Sequence, residues 1–372
     1  MKNQGHLGIV GGGQLGWMLA RAANRLGLAV TVLDPNPDSP AAHAATHLCA
    51  AFDDAEALDK LGQADWVTFE FENVPQESME QLQASTLVAP NPNSLRLASD
   101  RWVEKSTFQE LGIETAAFRK IDSLADARKA WRELGPLVLK TRRFGYDGKG
   151  QARVTHQEQL TAAYESLKGA PAIAEQFVSF DCELSVVLCR SAQGKCNIYP
   201  LFENQHDQGI LARSLCPAPS INEALTLRAN QLAQTLADHL DYVGVLALEL
   251  FLVGNQLLAN EFAPRVHNSG HGSIEGCVTS QFENHVRAVC GWPLGTSTLR
   301  APSVMLNLLG QVPPLSDLLK VPDCHVHDYR KRARTGRKVG HVTCLGATTE
   351  EAGARAQNAQ RIIAERPADP AS

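Results

Sequence analysis

Two glutamates interrupt apolar stretches on either side of a tight turn, in Leu246-Ala-Leu-Glu249-Leu-Phe-Leu252 and Leu257-Leu-Ala-Asn260-Glu261-Phe262. A hairpin turning at Gly254-Asn255-Gln256 sets Glu249 directly opposite Glu261. Opposed residues on adjacent strands point to the same face within contact distance. Burying even one carboxylate is costly, and two side by side repel. A hard divalent cation between them removes the conflict, since Mg²⁺ favours a few carboxylates completed by phosphate oxygens. An edge hairpin with both side chains in solvent is the plainer alternative.

At 372 residues, 44 % of them hydrophobic, the chain is long enough for two or three domains. A net charge of −5 carries no basic excess for nucleic acid. No stretch approaches the roughly 20 apolar residues of a membrane span. Met1–Val10 reads as a first strand running into glycines rather than a leader. Nine scattered cysteines without a CxxC pair suit reduced thiols, so the expectation is a soluble cytoplasmic protein.

Strand and helix signals alternate early: His6–Val10, a helix from Leu15 to about Leu26, Val30–Leu33 and Trp66–Phe71. That order predicts an α/β layer with a parallel sheet, ending near residue 95. A single helical stretch follows over Ser94–Leu111. Strands are then expected at Leu137–Lys140, Ala152–Val154, Ile173–Val178, Glu183–Cys189 and Asn197–Leu201. A helix over Ile221–Leu240 leads to the glutamate hairpin, and Gln281–Val289 reads as a helix. A strand-rich piece from Ala301 to Gly346 and a helix over Thr349–Ala364 close the chain.

Gly11-Gly12-Gly13-Gln14-Leu15-Gly16 sits between a strand and a helix, with Asp34 ending the second strand. This is the pattern of an anion-binding helix N-terminus and matches the dinucleotide fingerprint. Lys140-Thr-Arg-Arg-Phe-Gly-Tyr-Asp-Gly-Lys-Gly-Gln151 places a lysine at a strand end before a loop with Gly145, Gly148 and Gly150. Such a loop offers backbone N–H groups to phosphate oxygens, with the lysine as a point charge. It also fits a flexible basic turn. Ala174-Glu175-Gln176-Phe177-Val178 with Glu183 can pair an adenine edge and a ribose, or simply be solvated. His267 and His271 lie four apart, but Asn-Ser-Gly between them is poor helix for a zinc pair. Lys331 to His341 carries six potential cations in a turn, either solvated or a clamp for a phosphorylated substrate.

Taken in order, the lysine strand, glycine-rich loop, nucleotide strand and Glu…Asn-Glu hairpin resemble the ATP-grasp superfamily. Within it, Thr68-Phe-Glu-Phe-Glu-Asn-Val74, Gly145-Tyr-Asp-Gly-Lys-Gly-Gln151 and Asn260-Glu-Phe-Ala-Pro-Arg-Val-His-Asn-Ser-Gly-His271 are similar to the 5-(carboxyamino)imidazole ribonucleotide synthase family. The resemblance implies a mixed α/β and α+β architecture in three parts: a Rossmann-like parallel-sheet domain over 1–95, a two-lobed ATP-grasp domain over 96–298 with its lid at about 118–180, and a β-rich domain over 299–372. It implies ATP- and bicarbonate-dependent carboxylation of aminoimidazole ribonucleotide through carboxyphosphate, in a homodimer. ATP would be held by Arg101, Lys140, Gly145, Tyr146, Asp147, Gly148, Lys149, Gly150, Gln151, Glu175, Gln176, Phe177, Val178, Glu183, His206, Asn260 and Glu261. Glu249 and Glu261 would hold Mg²⁺, or Mn²⁺ in its place. The ribonucleotide would meet Gln14, Leu15, Glu72, Asn268, Ser269, Lys331, Arg337 and Lys338. Tyr146, Asp147, Arg265 and His267 would carry the chemistry, with His267 or Asp147 moving the proton. Many relatives carry glycine where this chain has Phe144.

Three other readings stay open on the residues alone. A related ligase, such as formate-dependent glycinamide ribonucleotide transformylase, shares the Pro-Arg…His frame. A nicotinamide dehydrogenase would use Gly11–Gly16 and leave the paired glutamates without a task. A nucleotide-sensing module would bind ATP without turnover.

Overall fold

The computed structural model describes residues 5–145 and 149–365. The strands, in chain order, are β1 His6–Val10, β2 Ala29–Leu33, β3 Thr46–Leu48, β4 Trp66–Phe69, β5 Leu87–Val88, β6 Phe118–Ile121, β7 Leu137–Thr141, β8 Gln151–Val154 and β9 Ala172–Gln176. They continue with β10 Cys182–Arg190, β11 Cys196–Ile198, β12 Phe202–Asp207, β13 Ile210–Cys216, β14 Gly244–Val253, β15 Gln256–Ala263, β16 Ser303–Gly310, β17 Cys324–Asp328 and β18 Arg334–Leu345.

The first five strands form a parallel sheet ordered β3-β2-β1-β4-β5. The near-continuous apolar runs of β1 and β2 suit strands covered on both faces. The helix Gln14–Arg25 buries Leu15, Trp17, Met18 and Leu19. These share one core with Phe282, Val286 and Val289 of the helix Gln281–Val289 and with Val187 and Val245 of the large sheet. The parallel layer is thereby docked on the rest of the molecule. His285 adds a polar tie, with Thr68 Oγ1 2.8 Å from Nε2 and the Val245 N–H donating to Nδ1 at 3.0 Å.

The second sheet is a small antiparallel one, β6-β9-β7-β8, packed on helices Leu124–Leu134 and Leu160–Ser166. Both helices fall in stretches to which the sequence reading assigns no element, one before β7 and one between β8 and β9. Their amphipathic turns are short, and Ser123 caps the first by accepting from Asp126 N–H.

The third sheet runs β15-β14-β10-β12-β13-β16-β18-β17, with β11 paired to β10. The C-terminal strands therefore continue the central sheet through β13 and β16 rather than close one of their own. The helix Thr349–Ala364 covers them with Ala352, Ala356 and Ala359. Among the described residues no helix is long and apolar enough to cross a membrane.

Several boundaries differ from the sequence reading. The stretch 94–111 is two helices, Pro92–Ala98 and Arg101–Glu110, broken where Asp100 leaves helical geometry to cap the second. Strand β4 stops at Phe69 and β9 at Gln176, because the following side chains turn into a cleft. The basic segment is half strand, since β18 begins at Arg334. His341 is fully buried and stacked 4.2 Å from His327, and burial keeps it neutral, so it is not one of the segment's cations.

Candidate active site

All three sheets contribute to one cleft of about 1070 Å³. The glutamate hairpin forms its floor. Near the turn the ladder pairs Leu252 with Leu257 and Leu250 with Ala259, but beyond it Leu248 faces Phe262. One extra residue has entered β15, so Asn260 and Glu261 share the place opposite Glu249. The direct Glu249–Glu261 pairing expected from the sequence is thus replaced by a bulge. Both carboxylates still line the cleft.

Their electrostatics have split. Burial, then the charge of Glu261, pushes the Glu249 carboxyl up to about 7. Burial also disfavours charge on Glu261, but Arg101, whose Nη1 lies 2.6 Å from Glu261 Oε2, together with Lys140 and Lys105, outweighs it and holds that carboxyl at about 2. The Glu261 side chain is 40 % accessible, and solvent in the cleft moderates the effect. Asn260 Oδ1 is buried without a hydrogen-bond partner. Two carboxylates that repel and an unused amide oxygen beside them are a donor set that fits a hard divalent cation. No group of three or more His, Cys, Asp or Glu among the described residues makes a metal site by itself. The pair is therefore a partial site that other oxygens would complete.

Lys140 ends β7, and its Nζ donates to Glu175 Oε2 at 3.0 Å. Burial of Glu175 is outweighed by Lys105, Lys140 and Arg101, which hold it at about 2. Gly145, Lys149, Gln151, Gln176, Phe177 and Val178 line the same end of the cleft, where the Arg153 guanidinium lies 3.7 Å over the Phe177 ring. Glu183 contacts His206 Nδ1, and this partner outweighs burial and raises the imidazole's pKa. Gly150 lies beside Thr141, outside the cleft wall, with φ 71°. Tyr146, Asp147 and Gly148 lie outside the described residues.

Elsewhere along the cleft lining, Arg265 pairs with Glu72, and Lys331 Nζ donates to Gln14 Oε1. Leu15, Arg337 and Lys338 complete this wall. Asn268 is held by a reciprocal amide pair with Asn307, at 3.1 and 2.6 Å. His267 Nε2 sits 3.5 Å from Glu249 Oε1, and burial, then Arg265, pushes its pKa well below the usual range, leaving a neutral imidazole. Ser269 departs from the sequence reading. It is fully buried, and its hydroxyl meets His267 Nδ1 at 2.8 Å, so it supports the histidine instead of facing the cleft.

The glycine loop is not a vacant phosphate cradle. Glu70 Oε1 accepts from Gly13 N–H at 2.8 Å and Glu70 Oε2 from Gly16 N–H at 3.1 Å. Asp34 Oδ2 takes Gly12 N–H at 2.7 Å. The chain's own carboxylates occupy the helix N-terminus where a dinucleotide's pyrophosphate would sit. A Cβ on Gly13 would lie 2.7 Å from Glu70 Oε1, so the glycine is needed for this internal anion.

Three groups escaped the sequence reading. Glu70 lies within Thr68–Val74, a stretch that carries no sign of its partners Gly13 and Gly16. Asp100 caps the helix Arg101–Glu110 and takes Arg142 in a two-point ion pair at 2.9 and 2.6 Å, tying the glycine-rich loop to the helix. Glu104 and Lys105 are fully buried on that helix, and only the i, i+3, i+4 spacing of Arg101, Glu104 and Lys105 marks a common charged face.

Comparison with known proteins places these features in a family. Three family models match along the chain: the ribonucleotide synthetase preATP-grasp domain over 4–99, the ATP-grasp domain over 106–282, and the phosphoribosylaminoimidazole carboxylase C-terminal domain over 303–355. The chain is 47 % identical over 359 residues to the N5-carboxyaminoimidazole ribonucleotide synthase of Pseudomonas aeruginosa, covering 96 % of this chain and 99 % of that protein. The Brucella melitensis enzyme of the same name is 45 % identical, with 92 and 97 % coverage. Among solved structures, the Thermus thermophilus synthetase matches with a TM-score of 0.93 at 44 % identity, over 98 % of this chain and 100 % of the other. An Aspergillus clavatus synthase in complex with ADP and 5-aminoimidazole ribonucleotide matches with a TM-score of 0.91 at 32 % identity, over 98 and 100 %. With the paired carboxylates, the lysine strand and the plugged glycine loop in one cleft, the chain belongs to the N5-carboxyaminoimidazole ribonucleotide synthases, ATP-dependent ligases of the ATP-grasp fold.

Proposed function

We propose that the cleft joins ATP, bicarbonate and 5-aminoimidazole ribonucleotide, producing the N5-carboxylated ribonucleotide, ADP and phosphate for purine synthesis in the cytoplasm. The observation that carries this reading is one cleft lined by two chemically different groups of residues. One group is Lys140, Glu183 and residues 175–178. The other is Gln14, Glu72, Lys331, Arg337 and Lys338. The Aspergillus clavatus relative is described with ADP and the ribonucleotide together, which supports two adjoining substrate sites here.

In this reading a bicarbonate oxygen attacks the γ-phosphorus, the bond to the β-phosphate oxygen breaks, and ADP leaves carboxyphosphate behind. Lys140 and Arg265 stabilise the transferring group by position and charge. Mg²⁺, or Mn²⁺ in its place, would be held by Glu249 and Glu261 and would neutralise charge gathering on the β-phosphate. Carboxyphosphate splits into carbon dioxide and phosphate beside the exocyclic amine. The amine attacks the carbon and loses a proton. His267, neutral and 3.5 Å from Glu249, is available at Nε2 to take it. Asp147 is the second candidate. Arg337 and Lys338 grip the ribonucleotide phosphate, and the active form is a homodimer.

¹³C-bicarbonate supplied with ATP and the ribonucleotide tests the reading. A new carbamate carbon resonance that requires both partners is expected. ATP turnover without any labelled carbamate would contradict it, and labelled formyl transfer from formate would favour the transformylase reaction instead.

A further inference from the structure

We propose that Glu104 and Lys105 are positioning residues that lock the bulge of β15 and thereby aim Asn260 and Glu261 into the cleft. The proposal rests on the reading of that cleft as a nucleotide and metal site.

Strand β15 is the outer edge of the large sheet. In a regular strand, the groups turned away from the partner come from every second residue. Here Ala259 turns outward, its N–H donating to Glu114 O at 2.7 Å and its C=O accepting from Lys105 Nζ at 3.1 Å. The next outward group is Phe262 N–H, donating to Glu104 Oε1 at 2.7 Å. The spacing is three residues instead of two, which is the bulge itself seen from the outer edge. Two adjacent residues of one helix therefore hold the strand immediately before and after the extra residue.

The same helical turn also holds what the bulge presents. Arg101, three and four residues earlier, binds the Glu261 carboxylate. Lys105 Nζ lies 3.4 Å from Glu175 Oε2, which also receives Lys140. Lys105 thus joins the hairpin floor to the small sheet that carries Lys140. Glu104 is 2 % exposed and Lys105 fully buried. Burial, then the charge of Glu261, pushes the Glu104 carboxyl up to about 8, and burying two ionisable side chains against an edge strand is expensive, whereas apolar residues of similar volume would pack there at lower cost. Their hydrogen bonds to the bulge are what apolar residues could not supply.

The test compares Glu104→Leu, Glu104→Gln and Lys105→Met in the full-length protein. Calorimetry measures ADP affinity with and without Mg²⁺, and steady-state kinetics measures kcat and the KM for ATP. Gln keeps an accepting oxygen for Phe262 N–H, so Glu104→Gln should retain kcat and the Mg²⁺-dependent gain in ADP affinity within about twofold. Glu104→Leu and Lys105→Met should lose most of that gain, with metal-free ADP affinity nearly unchanged. They should also lose about 10²-fold in kcat, the scale of an ångström's misplacement. If Glu104→Leu does not fold, the Gln variant still decides: a fall in Mg²⁺-dependent affinity beyond tenfold in a folded Glu104→Gln protein overturns the proposal. Wild-type Mg²⁺ response in Glu104→Leu overturns it as well. The calorimetric readout needs no turnover, so failure of the carboxylation reading, seen as unstimulated wild-type turnover, is distinguishable from failure here.

Discussion

Arg101 Nη1 lies 2.6 Å from Glu261 Oε2, so the carboxylate at the bulge of the hairpin is already ionised and aimed before any cation arrives. Glu249, its neighbour across the strand, lacks such a partner and is pushed up to about 7, by burial first and by Glu261 second. Replacing Glu261 by Gln removes the ionised member. The expected loss in kcat is at least about 10²-fold, comparable to removing one strong electrostatic stabiliser, together with a higher Mg²⁺ requirement. Near-normal turnover of Glu261→Gln would remove the metal assignment.

Glu70 serves as an internal anion for the helix Gln14–Arg25, whose own N-cap residue supplies no side-chain bond. Glu70→Ala should lower unfolding stability by about 1–2 kcal/mol, since two part-buried N–H groups lose their acceptor. Millimolar phosphate should stabilise that variant more than the wild type, because the helix N-terminus then receives an outside anion. Urea unfolding with and without phosphate measures both effects, and equal stability of the two proteins would show that Glu70 is dispensable there.

His285 is buried between the parallel layer and β14, and burial holds its pKa at about 3. An unfolded histidine titrates at about 6.5. Below that pH the unfolded chain gains a proton that the folded chain refuses. The stabilisation is complete above about pH 6.5 and declines as pH falls toward 3. From pH 7 to 5 the wild type should lose about 2 kcal/mol more than His285→Gln, by urea unfolding at each pH. Parallel losses would contradict this placement.

Phe144 stands with φ 62° and is 74 % exposed, in the left-handed region that favours glycine. Phe144→Gly relieves about 1 kcal/mol of backbone strain but frees the unfolded chain by a similar amount. Stability should therefore stay within about 1 kcal/mol. Phe144→Val, branched at Cβ, should be the less stable of the two. Thermal unfolding of the pair decides, and a Val variant as stable as the Gly variant would place Phe144 in another conformation.

Much of this site was legible because its residues interrupt strong local patterns. Glu249 and Glu261 stand out only against the apolar strands around them, and Lys140 only because it ends one. The bulge was not legible, since nothing in Leu257–Phe262 marks where one residue is added, and it shows in the structure through the ladder shift between Leu250 and Leu248. The glycine loop carried a misleading signal. Its N–H groups do bind an anion, but the anion, Glu70, lies 54 residues beyond Gly16. Glu104 and Lys105 were hidden for the same reason: a charged helix reads as solvated until the strand it covers is known. The helices Leu124–Leu134 and Leu160–Ser166 were missed because short amphipathic segments compete poorly with the β-rich stretches beside them.

ADP release from ATP and Mg²⁺, measured with bicarbonate and 5-aminoimidazole ribonucleotide present together, singly and not at all, addresses the central claim most directly. Release that is stimulated by the ribonucleotide and also requires bicarbonate is the predicted result. Turnover indifferent to both would contradict it and leave an ATP-grasp ligase acting on a different acid and amine.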